Sequence, residues 1–266
     1  MFIVALLSSA VSAAEHKIGL ISYLNVTPEQ LKDKVVAILA HGAAKRFTAG
    51  EPYTETYVFY DSLISMQMAL NAGEIDEMIL PEAVADYFMN VTEGYEISSI
   101  VRTPLSSLAL GFRKDDDPAL RNKFNEALLS MKADGTLAIL CAKYIDEPGL
   151  DEPEPVEFGK YENIDITIKV AVTGDLPPID FIAADGTPAG FNTAVLAELA
   201  KRMKANIQLI NIESGARASA LASKRADVVF WFEYHKDDNE QPDIPEGVVL
   251  SEPYYTWNEY FNIKKK

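Results

Sequence analysis

Residues Met68–Asp76, MALNAGEID, have a counterpart later in the chain at Ser219–Asp227, SALASKRAD. In each stretch an Ala-Leu pair closes a helix, a short turn follows, and an Asp opens an apolar run. Asp76 leads into Met78-Ile79-Leu80, and Asp227 into Val228-Val229-Phe230. Ala69 and Ala220 each stand seven residues before that Asp. The spacing lays Ala-Leu against the strand that the Asp begins. A helix–turn–strand unit used twice predicts two lobes of similar build.

Outward from the first copy, Lys17–Ile21 and Thr56–Tyr60 read as strands, and Thr27-Pro28-Glu29-Gln30 as the capped start of a helix running to Phe47. Ser62–Ala72 is a helix ended by Gly73, Ile75–Leu80 a strand, and Ala83–Met89 a helix. Ile97–Arg102 and Leu108–Arg113 read as two separate strands. Asp117-Pro118 opens a long helix, and Gly135 separates it from a last one ending near Ile145. Around the second copy, Ile166–Thr173, Asp180–Ala183, Ile207–Ile212 and Val228–Phe232 read as strands. Phe191–Met203 and Ala216–Ala222 read as helices. Strands alternating with helices imply a mostly parallel sheet flanked by helices in each lobe. Asp146–Glu157, DEPGLDEPEPVE, reads as a solvated linker stiffened by proline. The expected division is lobe A at 17–113, closing helices on lobe B at 114–145, a linker at 146–165, and lobe B at 166–266, with Lys264-Lys265-Lys266 as a charged tail.

With 24 Lys+Arg against 40 Asp+Glu, the net charge is −16, which repels phosphate backbones and anionic headgroups. Nucleic-acid and membrane-surface partners are therefore not expected. The apolar run Phe2–Val11, followed by Ser12-Ala13-Ala14, reads as a signal peptide over residues 1–14, cleaved after Ala13 or Ala14. A buried first strand is the alternative. No Lys or Arg precedes the run, so the start is open to revision. Cys141 is the single cysteine, which excludes an internal disulfide and reads as a small buried hydrophobe. His16, His41 and His235 lack ligand spacing, so neither metal nor cofactor is expected.

Several stretches resemble the type II periplasmic solute-binding proteins of the polar amino-acid-binding type (bacterial extracellular solute-binding family 3). Lys169-Val170-Ala171-Val172, Pro177-Pro178-Ile179-Asp180-Phe181, Asp185-Gly186 and Gly190-Phe191-Asn192 are similar to the opening of that family's first lobe. Ala226-Asp227-Val228-Val229 and Leu250-Ser251-Glu252-Pro253-Tyr254-Tyr255 are similar to its end. Tyr60-Asp61-Ser62 through Asp76, Glu82–Tyr87, and Phe112-Arg113-Lys114 through Ala133-Asp134-Gly135-Thr136 to Leu137 are similar to the second lobe and closing helices. The resemblance implies a two-lobed α/β clamshell that closes on a small molecule. It also implies a periplasmic monomer serving an ABC-type permease or a sensor, and no enzyme. The first-lobe pieces come last here, so the chain resembles a circular permutant. A fragment of tandem or swapped copies would give the same order.

The binding residues depart from the family. Its members hold a ligand carboxylate with an Arg shortly before the Ser-x-Pro-Tyr stretch, and no arginine occurs here between Ala226 and Lys266. The family's ammonium-binding acid falls at Pro81, with Glu82 beside it. Arg217 is the candidate substitute, because a buried ligand carboxylate needs a paired cation. Loop positions nominate Asp175, Asn192, Trp231, Glu233 and Tyr234 in lobe B, with Ser22, Tyr23, Asn25 and Glu82 in lobe A. Aromatic faces with a few acids suit an amine or a ring-bearing ligand. Tyr254, Tyr255 and Trp257 are expected near the hinge. Two other readings stand beside a binding protein. Gly19–Asn25, GLISYLN, is similar to the opening of the menaquinone-pathway chorismate dehydratases, which would make this an enzyme on the same fold. A degenerate copy without ligand is the third.

Overall fold

A computed structural model describes residues 15–21, 54–60, 62–146, 152–162, 167–235 and 244–266. The fold is mixed α/β. Its main sheet follows the order β2-β1-β3-β12-β4-β10-β5-β9, with β11 pairing β4 to one side. One end holds β1 (Glu15–Ile21), β2 (Thr54–Tyr60) and β3 (Glu77–Pro81), in which β1 is parallel to both neighbours. The other end holds β5 (Thr167–Val172), β9 (Asn206–Asn211) and β10 (Val228–His235), in which β5 is parallel to both neighbours. Between them run two long strands, β4 (Tyr95–Arg113) and β12 (Tyr255–Lys265), antiparallel to each other. A small sheet is formed by β6 (Asp175–Leu176), β7 (Asp180–Ile182) and β8 (Pro188–Ala189). The short β11 spans Val248–Leu250.

The repeated sequence is a repeated structure. Lys17 donates its N–H to Asp76 Oδ2 at 2.7 Å, and Asp76 returns its N–H to the Lys17 carbonyl at 2.8 Å. Lys169 donates to Asp227 Oδ2 at 2.9 Å, and Asp227 returns its N–H to the Lys169 carbonyl at 2.8 Å. Each Asp thus fastens the start of one parallel strand to the next. Helix α1 (Leu63–Ala72) begins at Ser62, whose hydroxyl accepts from the Ser65 N–H, and ends at Gly73 in the left-handed region. Its counterpart is the shorter α6 (Arg217–Ala222), whose turn passes through Lys224 at φ 59°. Ala69, Leu70, Ala220 and Leu221 are all buried. This burial is what the two Ala-Leu pairs contribute to the core.

Helix α2 (Glu82–Val91) follows β3 directly. Helices α3 (Ala119–Ala133) and α4 (Thr136–Cys141) pack on α5 (Gly190–Met203). Asp117 Oδ1 accepts the Ala119 N–H at 2.9 Å, and Arg202 on α5 pairs with Asp134 at 2.8 Å.

Several expected boundaries differ. The two strands read at Ile97–Arg102 and Leu108–Arg113 form one strand, because Pro104 falls where the β4–β12 ladder is broken. Pairing resumes only at Ser106 opposite Trp257, after Arg102 opposite Glu259. A proline there removes no ladder hydrogen bond. The C-terminal tail is strand β12, in which Phe261, Asn262 and Ile263 are buried. The chain therefore crosses between the two ends inside β4 and again inside β12, rather than at residue 113. The linker is also less solvated than its composition suggests. Pro155 bridges to Ala189, Val156 donates to the Pro188 carbonyl, and Tyr161 and Asn206 exchange two hydrogen bonds. The helix read at 27–47 lies outside the described residues.

Candidate functional site

Parallel strands present their carboxyl ends to one side, where ligands of open α/β sheets bind. In the C-terminal half that side carries Thr173-Gly174-Asp175 after β5, the start of α5, and Tyr254 before β12. The first N–H groups of α5 are not open to an anion: Phe191 donates to the Pro178 carbonyl at 2.8 Å and Asn192 to that of Ile179 at 2.7 Å.

Behind this turn lies a buried polar group. Asp180 is 2% exposed, and its Oδ2 accepts from the Thr173 N–H, the Thr173 hydroxyl and the Gly174 N–H at 2.8–3.1 Å. Burial nonetheless raises its pKa, against those bonds. Its Oδ1, both polar atoms of the Asn192 side chain and the Tyr254 hydroxyl find no hydrogen-bond partner among the described residues. Tyr254 is held far toward the neutral phenol, chiefly by burial and then by the charge of Asp180, with Arg217 opposing. Several polar atoms left unmatched in one buried region are costly in a packed core.

Arg217 is fully buried. Its guanidinium donates to the Trp231 carbonyl and lies over the Phe232 ring at 5.0 Å. Trp231 has φ 70° at a bulge where the β10–β4 register shifts between Val229 and Phe232. A buried aromatic in the left-handed region is strained, and the cation satisfies the carbonyl that this twist turns aside. Gly111 on β4 makes room: a Cβ there would stand 2.2 Å from Phe232 Cε2. Arg217 and Trp231 are thus joined at the bulge of β10.

At the junction of the two ends, Tyr255 stacks on Trp257 at 5.9 Å and 17°, and meets Phe191 edge-on at 5.6 Å. Glu82, at the start of α2, has its pKa raised by burial and then by Glu259, Asp86 and Asp146. Asp86 is raised by burial and by Glu259. Tyr255 is raised above the usual phenol range by burial and then by Glu82, Cys141, Asp146 and Asp86. Among the described residues, the charges acting on Glu82 are negative. Burial, with Asp146 second, pushes the Cys141 thiol up to about 11, which leaves it a poor nucleophile at neutral pH.

Of the nominated residues, Glu82 belongs to this junction, Asn192 to the buried polar group beside it, and Asp175 pairs with Phe181 in the small sheet. Ser22, Tyr23 and Asn25 lie outside the described residues, as do the side chains of Glu233 and Tyr234. Asp146 and Glu259 carry no motif, Asp86 and Asp180 stand in quoted family-like stretches without being nominated, and only folding brings Asp86, Asp146 and Glu259 near Glu82. Tyr254 and Tyr255 stand in the quoted Ser-Glu-Pro-Tyr-Tyr stretch, which sequence assigned to the hinge. Among the described residues no cluster could hold a metal ion, and no helix is long and apolar enough to cross a membrane.

Residues 168–265 match the family model of bacterial extracellular solute-binding proteins, family 3. The match begins in β5 and ends in β12, so it covers the C-terminal half-sheet and its return strand. Solved structures align over nearly the whole chain at low identity. The oxidised form of OxyR aligns at 10% identity over 96% of this chain and 87% of its own, with a TM-score of 0.45. A zinc-bound ligand-binding component of an ABC-type import system from Staphylococcus aureus aligns at 11% over 94% and 66%, with a TM-score of 0.44. The periplasmic aliphatic sulphonate-binding protein SsuA from Escherichia coli aligns at 10% over 96% and 66%, with a TM-score of 0.39. No curated protein matches the chain.

Proposed function

We propose that this chain is an extracytoplasmic solute-binding protein, a two-lobed clamshell of the periplasmic type II kind that closes on a small amine-bearing or aromatic-amine molecule. The observation that carries the ligand class is the set of carboxylates around Tyr255 and Trp257, in which the charges acting on Glu82 among the described residues are negative. A cation between stacked aromatic faces and these acids would relieve their repulsion and gain cation–π attraction. The family match over residues 168–265 supports the solute-binding role. Arg217 is fully buried and gives an N–H to the Trp231 carbonyl, which disfavours a carboxylate clamp and so an ordinary amino acid. The half-sheets are circularly permuted relative to the family, residues 1–14 are a signal peptide, and the protein acts as a monomer that hands its solute to an ABC-type permease or a sensor.

A thermal-shift screen of polyamines, aromatic amines, amino acids and aromatic acids tests this reading. At about a hundredfold excess over Kd a ligand adds roughly 2.7 kcal/mol. For a chain of this size that shifts Tm by about 5–10 °C. An amine that does so, and whose effect falls in Glu82→Gln, supports the proposal. Consumption of the ligand would instead indicate an enzyme of the chorismate dehydratase kind. Silence across the panel would indicate a copy that has lost its ligand.

A further inference from the structure

At the opposite, amino ends of β5 and β10 lies a cavity of about 730 Å³, walled by the end of β4, the start of α3 and the end of α5. Its size suits a small ligand. Its floor is apolar, with Leu120, Ile168, Met203 and Val249 among the lining side chains. Its charge is unlike the rest of the molecule. Five cations face three acids there, in a chain whose net charge is −16.

The acids are all engaged. Asp116 and Asp227 pair with Arg113 at 2.7 and 3.5 Å, Asp227 also accepts from Lys169, and Asp117 accepts the Ala119 N–H. Arg113 is spent on these pairs and on the carbonyls of Leu221 and Ala226. The other four cations, Lys114, Arg121, Lys123 and Lys204, have no ion pair among the described residues. Arg121 stands in the first turn of α3 with a buried Nε that finds no hydrogen-bond partner among them. A guanidinium half-sunk beside an apolar floor, at the positive end of a helix, is arranged for a carboxylate.

We propose that this cavity is a second binding site, separate from the junction at Tyr255, for an organic carboxylate carrying an apolar body. The carboxylate meets Arg121 and the surrounding lysines, and the body covers Leu120 and Met203. This assignment does not depend on the amine reading of the junction.

Phenylbutyrate is the probe, titrated calorimetrically into the full chain. Phenylbutanol supplies the body without the charge, and acetate the charge without the body. Phenylbutyrate is expected to bind at least about tenfold more tightly than either. Its affinity should fall about tenfold in Arg121→Gln and drop as salt rises toward about 0.5 M. Glu82→Gln, at the junction, leaves this binding unchanged. Lys204→Gln, at an exposed position, gives a second and smaller loss if Arg121→Gln fails to fold. Equal binding of phenylbutanol overturns the proposal, as does full affinity in a folded Arg121→Gln or loss of binding in Glu82→Gln.

Discussion

The two helix–turn–strand units differ in helix length, and their turns differ in the residue that closes them, a difference that can be reversed. Gly73 closes the first turn at φ 76°, and Lys224 closes the second at φ 59°. In both, the residue after the Ala-Leu pair and its two followers donates back to the Leu carbonyl: Gly73 to Leu70 at 3.2 Å and Lys224 to Leu221 at 3.0 Å. A side chain in this conformation costs about 1–2 kcal/mol. A glycine costs about 0.4–1 kcal/mol more unfolded-chain entropy on folding. Lys224→Gly should therefore stabilise the protein by roughly 0.5–1 kcal/mol, and Gly73→Ala should destabilise it by a similar amount. No atom lies within 4 Å of a Cβ built on Gly73, so the loss there is conformational rather than steric. Lys224 is exposed, so removing its side chain sacrifices little packing. The measurement is urea unfolding, read as a midpoint shift at constant slope. Tm should move by about 1–4 °C in opposite directions for the two variants. Shifts of the same sign would refute the equivalence of the two turns.

Gly111→Ala pushes a Cβ into the buried Phe232 ring and should cost roughly 1–3 kcal/mol by unfolding, with a changed near-UV aromatic signal. Raised carboxyl pKa values at Glu82, Asp86 and Asp180 mean that folding favours their protonated forms. Their contribution is present below the ordinary carboxylate range and is lost as pH rises through the raised values, so Glu82→Gln should flatten that loss in a pH series of Tm. Asp134 has the opposite sign: its hydrogen bonds to Arg202 and Thr136 lower its pKa, and its contribution is lost as pH falls through the acid range. Arg202→Met should remove that acid-side dependence. In hydrogen exchange, the amides of Thr103, Leu105 and Asn258 at the ladder break should exchange faster than those of Ser106–Leu110. Uniform protection along β4 would count against a joint at Pro104.

Much of the fold is legible because its ends are marked locally. Ser62, Gly73, Asp117 and Gly135 are short-range signals that need no knowledge of the tertiary structure, and the helices they mark begin within a residue or two of expectation. Strand β12 is not legible in this way. Its sequence, YTWNEYFNIKK, mixes aromatics with charge, and it is a strand because β3 and β4 pair it on both sides. Sequence nominates Arg217 as a carboxylate clamp, since nothing nearby shows that a distant bulge will bring the Trp231 carbonyl to its guanidinium. The acids at the junction come from positions 82, 86, 146 and 259, so their mutual repulsion exists only after folding. Sequence found Glu82 through its place after a strand, but not the neighbours that give it a chemical role.

The two latches also bear on the permuted order proposed above. Lys17 with Asp76 and Lys169 with Asp227 each close a unit within one half, across 59 and 58 residues of chain. Strand pairing between the halves, by contrast, passes only through β4 and β12 among the described residues. These two strands lie side by side and run in opposite directions, so the chain that leaves one half returns beside its own exit. Which half comes first then depends on where the ends are joined and not on how either half is built. The segment 152–162 supplies such a join. Val156 is tied to Pro188 and Tyr161 to Asn206, which leads the chain from the helices packed on α5 into β5. The contacts that dock this segment offset the entropy of ordering it, and they support the permuted order proposed above.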